Sequence, residues 1–442
     1  MGGSGVHYPS KHVKHLRYFG YNPIVLTVSP EDYSGHSELR MPLDETRCED
    51  IPGDIETHKV RSHQPFRLFR VLSKIRLEFL REIFFVPDSA ITWILPAVRR
   101  GRLIAREKPI DLIYTHSRPN STAIIGWILK KLLGKPWVLD FRDPWTNYFL
   151  QTHPTKMHFW AERHLEQFLI KRADHVIMVT PTALANLIAE NECLTSERTA
   201  CITMGYDKED FDRTEATQKK GKDFTLLYPG VFCGAPSLNQ CERGNLTERL
   251  WRKVRGRLSY RHRNFDRLTH SPKFLLDAMR ELFAERPELR DRLKFLHIGP
   301  FSSENKRYAE LMGLSQNVEF LGYHSHADAV KAMKQADALF ICLADSPDGE
   351  RNDCVPQKVY EYMGARKPIL ALVPEGDARD FLEKAGTAVI CPPRDISAIK
   401  NALISLIEGD ARIDPNDEFI RNFECRNITA RLASVFDRLT RV

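Results

Sequence analysis

The amino-acid sequence predicts an α/β protein with two domains, each built on a parallel β-sheet. The chain has 442 residues, 42% hydrophobic and 28% charged, so each half can bury a hydrophobic core of its own. Ten short apolar runs rich in β-branched residues are each followed by a helical pattern. One polar stretch divides these runs into two groups. The alternation of strands and helices favours parallel sheets in both domains.

The apolar runs are the predicted strands. Short runs of this kind, alternating with helices, are typical of strands buried in a parallel sheet. The first group comprises residues 24–28, 112–114, 137–141 and 176–179, and the second comprises residues 225–228, 293–298, 318–321, 338–343, 369–373 and 388–391.

The domain boundaries follow from a polar stretch and from the last helix. Residues 211–223 (FDRTEATQKKGKD) are short of apolar residues and are typical of an interdomain linker. We therefore expect one domain at residues 1–210 and a second at residues 224–415. The segment 416–442 contains an amphipathic helix, which we expect to pack back on the first domain because its apolar stripe needs a core to cover. This helix is predicted over residues 427–439, with Ile428, Leu432, Val435, Phe436 and Leu439 on the stripe.

Composition argues against several classes of protein. No apolar run reaches the roughly 18–20 residues that a membrane span requires. The first residues lack the basic and apolar regions of a signal peptide. The nine cysteines stand singly, without a CxxC pair, so neither a disulfide framework nor a zinc site is indicated. We expect a cytoplasmic chain with reduced thiols.

The net charge of +7 is concentrated in one segment. Residues 242–267 contain nine Lys or Arg against three acidic residues, a local charge of +6. They belong to a stretch at about 235–268 without regular periodicity. Three interpretations of this stretch are open. It is either a disordered basic loop, or a contact with an acceptor or an anionic membrane, or a patch that binds nucleic acid. We expect no nucleic-acid partner.

A second basic segment is amphipathic. In residues 67–85, Leu68, Leu72, Ile75, Phe79 and Ile83 recur at helical spacing among five Lys or Arg residues. The segment either covers the core with a solvated basic face or contacts an anionic membrane.

Five strings carry a resemblance to a known family. They are GGSGVHYPSKHVKHLRYFGYNPIVLTV (2–28), DLIYTHSRPNSTAIIGWILKKLLGKPWVLDFRDPW (111–145), ADHVIMVT (173–180), ITMGYDKEDF (202–211) and VPQKVYEYMGARKPIL (355–370). In these strings the chain resembles the bacterial family 4 glycosyltransferases of the GT-B fold, and in particular members that build surface polysaccharides. The resemblance covers nearly the whole chain except about residues 235–268.

The resemblance implies two Rossmann-like domains facing a cleft. It further implies retaining transfer of a sugar from a UDP- or GDP-sugar to a glycan or lipid-linked acceptor in polysaccharide biosynthesis, often at the inner face of the plasma membrane. Such enzymes use no metal or other cofactor, since the nucleotide-sugar is a substrate. A UDP-sugar epimerase shares the architecture but would not explain the DFRDPW and VPQKVYEYMGARKP strings. A catalytically impaired binding or scaffold protein is a further alternative.

The most specific string supplies the predicted donor site. A sugar nucleotide needs cations or N–H groups for its phosphates and a carboxylate for its ribose hydroxyls. By analogy with the family, Glu361 opens a helix and accepts hydrogen bonds from the ribose, and Lys358 lies one turn earlier and faces the phosphates. The alternative is an ordinary capped helix with solvated charges. Asp353, eight positions before Glu361, stands where the family often has a second acid that acts toward the transferred sugar.

A basic residue near the donor pyrophosphate is expected from another loop. In the family this loop is short, whereas here about 34 extra residues separate Tyr228-Pro229-Gly230 from Pro272-Lys273. Gly230 belongs to the predicted donor site, and either Arg267 or Lys273 supplies the cation.

The predicted acceptor side follows a strand of the first domain. Arg142 and Asp143 directly follow residues 137–141, and the carboxyl ends of strands are where open α/β sheets bind ligands. Arg142 stands where many relatives have an active-site histidine. Asp143 orients the acceptor hydroxyl or accepts its proton, or else caps the next helix. His116, at the end of the preceding strand, lines the same cleft or is structural.

A glycine-rich loop begins the chain. Gly2, Gly3, Ser4 and Gly5 precede a helix and would let backbone N–H groups approach a phosphate closely, or they form a flexible terminus. Family members have a β-strand before this loop, and here the chain begins at the loop. Either the start of the reading frame is assigned too late, which we favour, or the first strand of the sheet is missing.

Overall fold

A computed structural model describes residues 7–29, 32, 51–62, 83–149, 151–214, 223–232 and 256–440. These residues form two compact units. The first unit takes its described residues from Met1–Thr203, Gly244–Arg263 and Thr429–Val442, and the second from Met204–Arg243 and Asn264–Ile428.

The first unit contains two parallel sheets among its described residues. A two-stranded sheet pairs β1 (Val25–Val28) with β2 (Thr57–Val60). A four-stranded sheet has the order β3 (Ile113–Ser117), β4 (Trp137–Phe141), β5 (His175–Met178) and β6 (Thr199–Cys201). Every residue of β4 and β5 is buried, as expected for central strands that are covered on both faces.

The described helices of the first unit alternate with the strands of its two sheets. They are α1 (His7–Leu16), α2 (Ile94–Glu107), α3 (Ser121–Leu133), α4 (Lys156–Ile170) and α5 (Pro181–Glu190), with short 3₁₀ helices at Arg17–Phe19, Ser89–Trp93 and Ser196–Arg198. Local chemistry sets their ends. Gly134 ends α3 with a φ of 63°, a conformation that suits glycine. Thr155 begins α4 because its side-chain oxygen accepts a hydrogen bond from the His158 N–H.

The second unit contains one six-stranded parallel sheet. Its strands are β7 (Phe224–Pro229), β8 (Leu293–Ile298), β9 (Val318–Gly322), β10 (Ala338–Cys342), β11 (Ile369–Leu372) and β12 (Ala388–Cys391). Their order is β12-β11-β10-β7-β8-β9, which is the order of a Rossmann sheet. The chain extends the sheet from β7 through β8 and β9, then returns to β10 on the other side of β7.

The described helices of the second unit connect these strands. They are α6 (Lys208–Asp212), α7 (Lys273–Glu285), α8 (Ser303–Leu311), α9 (His326–Gln335), α10 (Gln357–Ala365), α11 (Asp377–Ala385), α12 (Ile396–Glu408) and α13 (Asp417–Arg421), with a 3₁₀ helix at Pro287–Leu289. The last helix, α14 (Cys425–Thr440), belongs to the first unit from Thr429 onward.

The prediction of parallel α/β sheets is confirmed. All ten predicted strands are present, and their ends differ from the prediction by at most three residues. Two of the described strands, β2 and β6, were not predicted, because neither contains an apolar run. Strand β2 (THKV) is polar and alternates between exposed and half-buried residues, and β6 (TAC) is only three residues long.

The amphipathic pattern predicted for the last helix is confirmed. Ile428, Leu432, Val435 and Phe436 are buried, and Leu439 is half-buried. On the same helix, Thr429 Oγ1 lies 3.0 Å from His12 Nδ1 of α1.

The predicted linker begins inside a packed segment. Phe211 of α6 is 7% exposed, and its carbonyl oxygen accepts a hydrogen bond of 2.7 Å from Lys334 of α9. Lys334 also donates to the carbonyl oxygen of Thr214. Residues 211–214 are therefore part of the second unit, and residues 215–222 lie outside the described residues. The first unit gives way to the second at Met204, earlier than the predicted boundary at residue 210.

The described end of the basic insertion, residues 256–268, has defined backbone partners. Tyr260 and His153 exchange backbone hydrogen bonds of 2.8 and 2.9 Å in the first unit. In the second unit, Asp266 forms a bridge with Asp345. The alternative of a disordered loop is thus wrong at these positions, while residues 235–255 lie outside the described residues.

No helix within the described ranges is both long and apolar enough to cross a membrane. Most of the amphipathic segment predicted at residues 67–85 lies outside those ranges, which resume at residue 83.

Candidate functional site

The first candidate site lies in the second unit, where the order of its strands reverses. Strand β7 stands between β8 and β10, and ligands of open α/β sheets bind outside the carboxyl ends of the strands at such a point. Gly230 directly follows β7 at this edge. Its backbone N–H donates a hydrogen bond of 2.7 Å to the carbonyl oxygen of Ile298, the last residue of β8.

The side chain of Lys358 reaches the same edge from α10. A Cβ added to Gly230 would lie 2.0 Å from Lys358 Cε and 2.6 Å from its Nζ, so the lysine packs directly against the glycine backbone. The Nζ also lies 5.2 Å from the centre of the Tyr228 ring, within the range of a cation–π contact. The structure thus brings together two of the predicted donor-site residues, Gly230 and Lys358.

Stacked rings support this contact. The ring of Tyr228 lies 3.9 Å from that of Phe232 and 5.7 Å from that of His297. His297 Nε2 lies 2.8 Å from the carbonyl oxygen of Gly230, which can only accept, so Nε2 carries the proton. Burial lowers the pKa of His297 to about 4, although this hydrogen bond opposes the shift and Lys358 adds to it. His297 is therefore neutral near pH 7, and it fixes the backbone of Gly230.

The ammonium group of Lys358 is incompletely hydrated. Burial lowers its pKa, while the carboxylate of Glu361 and the thiols of Cys342 and Cys354 act in the opposite direction. An anion bound beside a poorly hydrated cation gains more Coulomb energy than it would in bulk water. The site is therefore suited to a negatively charged ligand.

Glu361 lies one turn after Lys358 on α10. The expectation that Glu361 opens the helix is wrong, because α10 begins at Gln357, immediately after the extended residue Pro356. Gln357 Nε2 donates hydrogen bonds of 2.6 Å to the Gly205 carbonyl oxygen and 3.4 Å to Glu361 Oε1. Glu361 is thus held inside the first turns of the helix, next to a fixed amide.

Asp353 lies in the segment that leads into α10. Asp353 is only 5% exposed. The neighbouring Asn352 fixes this segment, since its side chain accepts a hydrogen bond of 2.8 Å from the Cys354 N–H and its carbonyl accepts one of 3.0 Å from Asp377. The role of Asp353 toward the transferred sugar stays a prediction.

Lys273 and Arg267 are placed differently from Lys358. Lys273 begins α7, and its Nζ forms an ion pair of 2.5 Å with Asp277, which also accepts a hydrogen bond of 2.6 Å from Tyr308. The exposed guanidinium of Arg267 lies 5.8 Å from the ring of Phe265. No hydrogen bond or ring contact of the described residues joins either side chain to Lys358. Lys273 therefore already has a charge partner within its own helix.

His270 is a residue of this site that the sequence did not reveal. Burial lowers its pKa to about 4, and the charge of Lys358 lowers it further. His270 follows Thr269, whose hydroxyl accepts a hydrogen bond of 2.8 Å from the Asp345 N–H. The segment that ends the basic insertion therefore carries a neutral imidazole to the vicinity of Lys358. A single histidine without a repeated spacing gives no sequence signal for this position.

The second candidate site lies in the first unit, at the carboxyl ends of β3 and β4. His116 Nδ1 lies 3.4 Å from Asp140 Oδ2, and the hydroxyl of Tyr114 donates to the same oxygen. Asp140 is 1% exposed. Among the described residues, Asp140 Oδ1 and His116 Nε2 are buried without a hydrogen-bond partner. This pair was only half predicted, since His116 was expected here and Asp140 was not assigned a role.

A second histidine extends this pair. His12 of α1 is 3% exposed, and burial lowers its pKa to about 4, with Asp140 opposing and His116 adding to the shift. His12 Nδ1 lies 3.0 Å from Thr429 Oγ1. The ring of Tyr8, one turn earlier, lies 5.2 Å from that of His116. Two imidazoles and one carboxylate are thus gathered at this edge from three segments of the chain.

Arg142 and Asp143 follow β4 at the same edge. The N–H of Arg142 donates a backbone hydrogen bond of 3.4 Å to Ser117, the last residue of β3. Asp143 is half-buried, and among the described residues it forms no ion pair or hydrogen bond. The alternative that Asp143 caps the next helix is wrong, because α4 begins at residue 156 with Thr155 as its cap.

A buried polar network lies under the loop that follows β4. Trp145 Nε1 donates a hydrogen bond of 2.9 Å to Glu162, which also lies 3.1 Å from His153 Nδ1. Thr146 donates its hydroxyl to Glu166. Burial raises the pKa of Glu166 to about 7, although the hydrogen bonds from Thr146 oppose the shift. These contacts hold both ends of the loop on α4.

The predicted phosphate loop, Gly2, Gly3, Ser4 and Gly5, lies outside the described residues. Helix α1, which was expected to follow the loop, is present from His7. The role of the loop stays a prediction.

Two protein-family models match the chain, one in each half. Residues 8–203 match the glycosyl transferase 4-like domain, and residues 266–423 match the glycosyl transferases group 1. Together these two ranges cover most of the chain. The first contains His12, His116 and Asp140, and the second contains His297, Lys358 and Glu361. The chain is a GT-B glycosyltransferase. No curated protein matches its sequence significantly.

Solved structures show the same fold along almost the entire glycosyltransferase. Anabaena Alr3699/HepE, in complex with UDP and glucose, is 16% identical with a TM-score of 0.56, over 99% of this chain and 96% of that one. A glycosyltransferase from Rickettsia africae is 14% identical with a TM-score of 0.58, over 99% and 95%. Sucrose-phosphate synthase from Thermosynechococcus elongatus is 15% identical with a TM-score of 0.60, over 99% and 94%. At these identities the likeness is one of fold.

Proposed function

We propose that this glycosyltransferase transfers a sugar from a UDP- or GDP-sugar to a glycan or lipid-linked acceptor, with retention of the anomeric configuration. The packing of Lys358 against Gly230 carries the donor part of this proposal, because it sets a cation at the ligand-binding edge of a Rossmann sheet. Similar folds have been solved with UDP and with UDP-glucose, which supports a uridine nucleotide as the first donor to test.

In the proposed donor complex, Lys358 contacts the diphosphate and Glu361 accepts hydrogen bonds from the ribose hydroxyls. The two residues lie one helical turn apart, so their side chains project on the same side of α10. As the bond between the sugar and the diphosphate breaks, negative charge develops on the departing oxygen. A preorganised cation stabilises this charge more than it stabilises the bound donor, which is the requirement for catalysis.

In the proposed acceptor complex, His116 and Asp143 meet the acceptor hydroxyl. Asp140 accepts a hydrogen bond from His116 Nδ1–H, which leaves His116 Nε2 able to accept a proton. Asp143 has a half-buried carboxylate at the same edge and can orient the hydroxyl. Retention follows if the acceptor attacks on the face that the diphosphate leaves, and no side chain is assigned as a covalent nucleophile.

We further propose that the enzyme works at an anionic membrane surface in polysaccharide biosynthesis. Met157 and Trp160, three residues apart at the start of α4, are 80% and 48% exposed. Phe84 is 75% exposed, and the backbone next to it contacts α4, where His158 Nε2 lies 3.2 Å from the Ile83 carbonyl oxygen. Exposed apolar side chains of this size are typical of interaction surfaces.

The membrane part is tested by sedimentation with vesicles that contain anionic lipid, across a salt series. Trp160→Ala is expected to weaken binding. Leu132→Ala, which removes a 48% exposed side chain elsewhere on the first unit, is the control. Equal binding by both variants and the parent would contradict the membrane surface.

The donor and the stereochemistry are tested with the purified full-length chain. Thermal stabilisation by uridine, guanosine and adenosine nucleotides identifies the donor base. NMR of the sugar first released from the matching nucleotide-sugar is expected to show the anomeric configuration of the donor. Release of the opposite anomer would reject retention. Conversion of a UDP-sugar to its epimer would identify an epimerase, and nucleotide binding without turnover would identify a binding protein.

A further inference from the structure

Two buried glutamates of α4 bind consecutive residues of the loop that follows β4. Trp145 Nε1 donates a hydrogen bond of 2.9 Å to Glu162 Oε2. Thr146 donates both its hydroxyl and its backbone N–H, the latter at 3.4 Å, to Glu166 Oε2. The two glutamates lie one helical turn apart and are 4% and 6% exposed, while Trp145 and Thr146 are fully buried. The loop is therefore fastened to α4 at two adjacent positions.

The fastened positions stand next to a residue of the proposed acceptor side. Asp143 lies three residues before Thr146 and directly after Arg142, whose backbone N–H donates a hydrogen bond of 3.4 Å to the carbonyl oxygen of Ser117. Asp143 thus stands between one backbone contact with β3 and one side-chain contact with α4. A segment this short, held on both sides, retains few backbone conformations. The place of Asp143 therefore depends on the contact of Thr146 with Glu166.

The charged groups around Glu166 oppose one another. Burial is the largest effect and raises the pKa of Glu166 to about 7, against the hydrogen bonds of the loop. Arg163 lowers this pKa and Glu190 raises it, and these two residues form an ion pair of 3.2 Å with each other. Glu162, one turn earlier, lies 3.1 Å from His153 Nδ1. Burial beneath the loop is therefore what distinguishes Glu166 from a hydrated carboxyl.

The raised pKa gives the contact a defined pH dependence. The carboxyl of Glu166 holds its proton more firmly beneath the loop than it would in water, so ionisation favours an opened loop that lets water reach the carboxylate. The closed loop is most stable at low pH, and this stability is lost as the pH rises through about 7. The pH dependence thus reports whether the loop covers Glu166.

We propose that Glu166 is a positioning residue of the transfer reaction, which fixes the loop through Thr146 and so sets Asp143 beside the acceptor hydroxyl. This inference rests on the proposed function, in which Asp143 orients that hydroxyl. Glu166 acts through the loop, because its carboxyl is buried and binds Thr146. Glu162 holds the same loop through Trp145.

The position of the loop is tested by hydrogen exchange of the backbone amides of residues 142–149 in the full-length protein. Mass spectrometry measures the exchange at pH 6 and pH 8, and the rates are corrected for intrinsic exchange. The variants are Glu166→Gln, which cannot ionise, Thr146→Val, which lacks the hydroxyl, and Thr146→Ser, which keeps it. Thr199→Val is the matched control, since Thr199 is 8% exposed and donates its hydroxyl to the Thr195 carbonyl oxygen at 2.9 Å in the same unit.

In the parent, the corrected exchange should be about tenfold faster at pH 8 than at pH 6, because opening the loop lowers the pKa of Glu166. Glu166→Gln should abolish this difference. Thr146→Val should speed the exchange by about tenfold at pH 6, the effect of one lost hydrogen bond, while Thr146→Ser and the control should match the parent. An unchanged pH dependence in Glu166→Gln, or unchanged exchange in Thr146→Val, would overturn the proposal.

The consequence for transfer is measured with UDP-glucose as the donor and water as the acceptor. Glu166→Gln and Thr146→Val are expected to lower kcat by about ten- to hundredfold, with the KM for UDP-glucose unchanged, because a misplaced group at the reacting centre costs this much. Thr146→Ser should restore kcat. A parental kcat in Thr146→Val would overturn the positioning role. Absence of turnover in the parent would count against the proposed donor, and the exchange rates would still decide whether Glu166 fixes the loop.

Discussion

Lys358 fills the space beside Gly230 that any larger residue would need. A Cβ at residue 230 would lie 2.0 Å from Lys358 Cε, far inside van der Waals contact. The glycine is thus required by the close approach of a side chain and not by a special backbone conformation. Because the lysine is flexible, a substitution at Gly230 displaces the cation before it disturbs the sheet.

Gly230→Ala is expected to weaken nucleotide binding with little loss of stability. The added methyl group forces the ammonium group away from its place over the Tyr228 ring, so the diphosphate loses its cation. We expect about a tenfold loss of affinity for UDP or GDP, corresponding to roughly 1.4 kcal/mol. Calorimetry measures the affinity, and urea unfolding measures the stability. An unchanged affinity would show that the lysine position is irrelevant to the nucleotide.

Lys358→Ala and Glu361→Ala are expected to weaken donor binding without unfolding the protein. Each removes one charge-assisted interaction, for which a loss of roughly 1.5–3 kcal/mol is typical. Lys384→Ala, an exposed lysine near the end of α11, is the matched control and should bind as the parent does. If both site variants retain the affinity of the parent, the donor assignment is wrong.

Asp140→Asn and His116→Ala are expected to lower turnover while donor binding stays unchanged. The carboxylate orients His116, and loss of a general base typically costs about 10²–10⁴ in rate. Asp174→Asn is the control. Asp174 binds Lys130 and the Trp137 N–H, each at 2.7 Å, at the opposite end of β4. A normal kcat in His116→Ala would exclude the imidazole from proton transfer.

Stability is expected to fall as the pH is lowered from about 6.5 to about 4. Burial lowers the pKa of His12, His175, His270 and His297 from 6.5 to about 4. The unfolded chain therefore binds more protons in this range, and each histidine contributes up to about 1.4 kcal/mol per pH unit. Glu166, whose pKa is raised to about 7, acts in the opposite sense, since its contribution is present at low pH and lost as the pH rises.

The pH slope of the free energy of unfolding is measured by urea unfolding at several pH values. His297→Gln is expected to reduce this slope by up to about 1.4 kcal/mol per pH unit, which corresponds to the uptake of one proton on unfolding. The same substitution at the exposed His164 is the matched control. A slope that His297→Gln leaves intact would contradict the neutral state of this histidine in the folded protein.

Much of the fold could be predicted because it depends on local pattern. Buried strands require continuous apolar runs, and ten strands were predicted from such runs. The last helix was predicted from apolar residues at helical spacing. Strands β2 and β6 were not found, because a short or polar strand has no distinctive sequence pattern. The start of α10 was placed wrongly, since the extended conformation of Pro356 ends the preceding segment before Gln357.

Most of the predicted residues of the candidate sites stand in a family string, as Lys358, Glu361 and His116 do. Gly230 was predicted from the loop that follows residues 225–228. Asp140 was not, because a carboxylate inside an apolar strand can equally be a structural residue, and only its contact with His116 distinguishes the two. His270 and His297 lie far apart in the sequence and have no common motif. Lys273 was assigned to the donor from its position, whereas its side chain is paired with Asp277.

The sequence by itself determined the two α/β domains and the strands that form their sheets. These properties follow from burial and local backbone preference, which depend on residues that are consecutive in the sequence. The tertiary structure decided which side chains meet. The contacts of Gly230 with Lys358, of His116 with Asp140, and of Tyr260 with His153 join segments distant along the chain. Their geometry depends on sheet order and packing, because a reactive pair requires ångström-scale placement that no local pattern specifies.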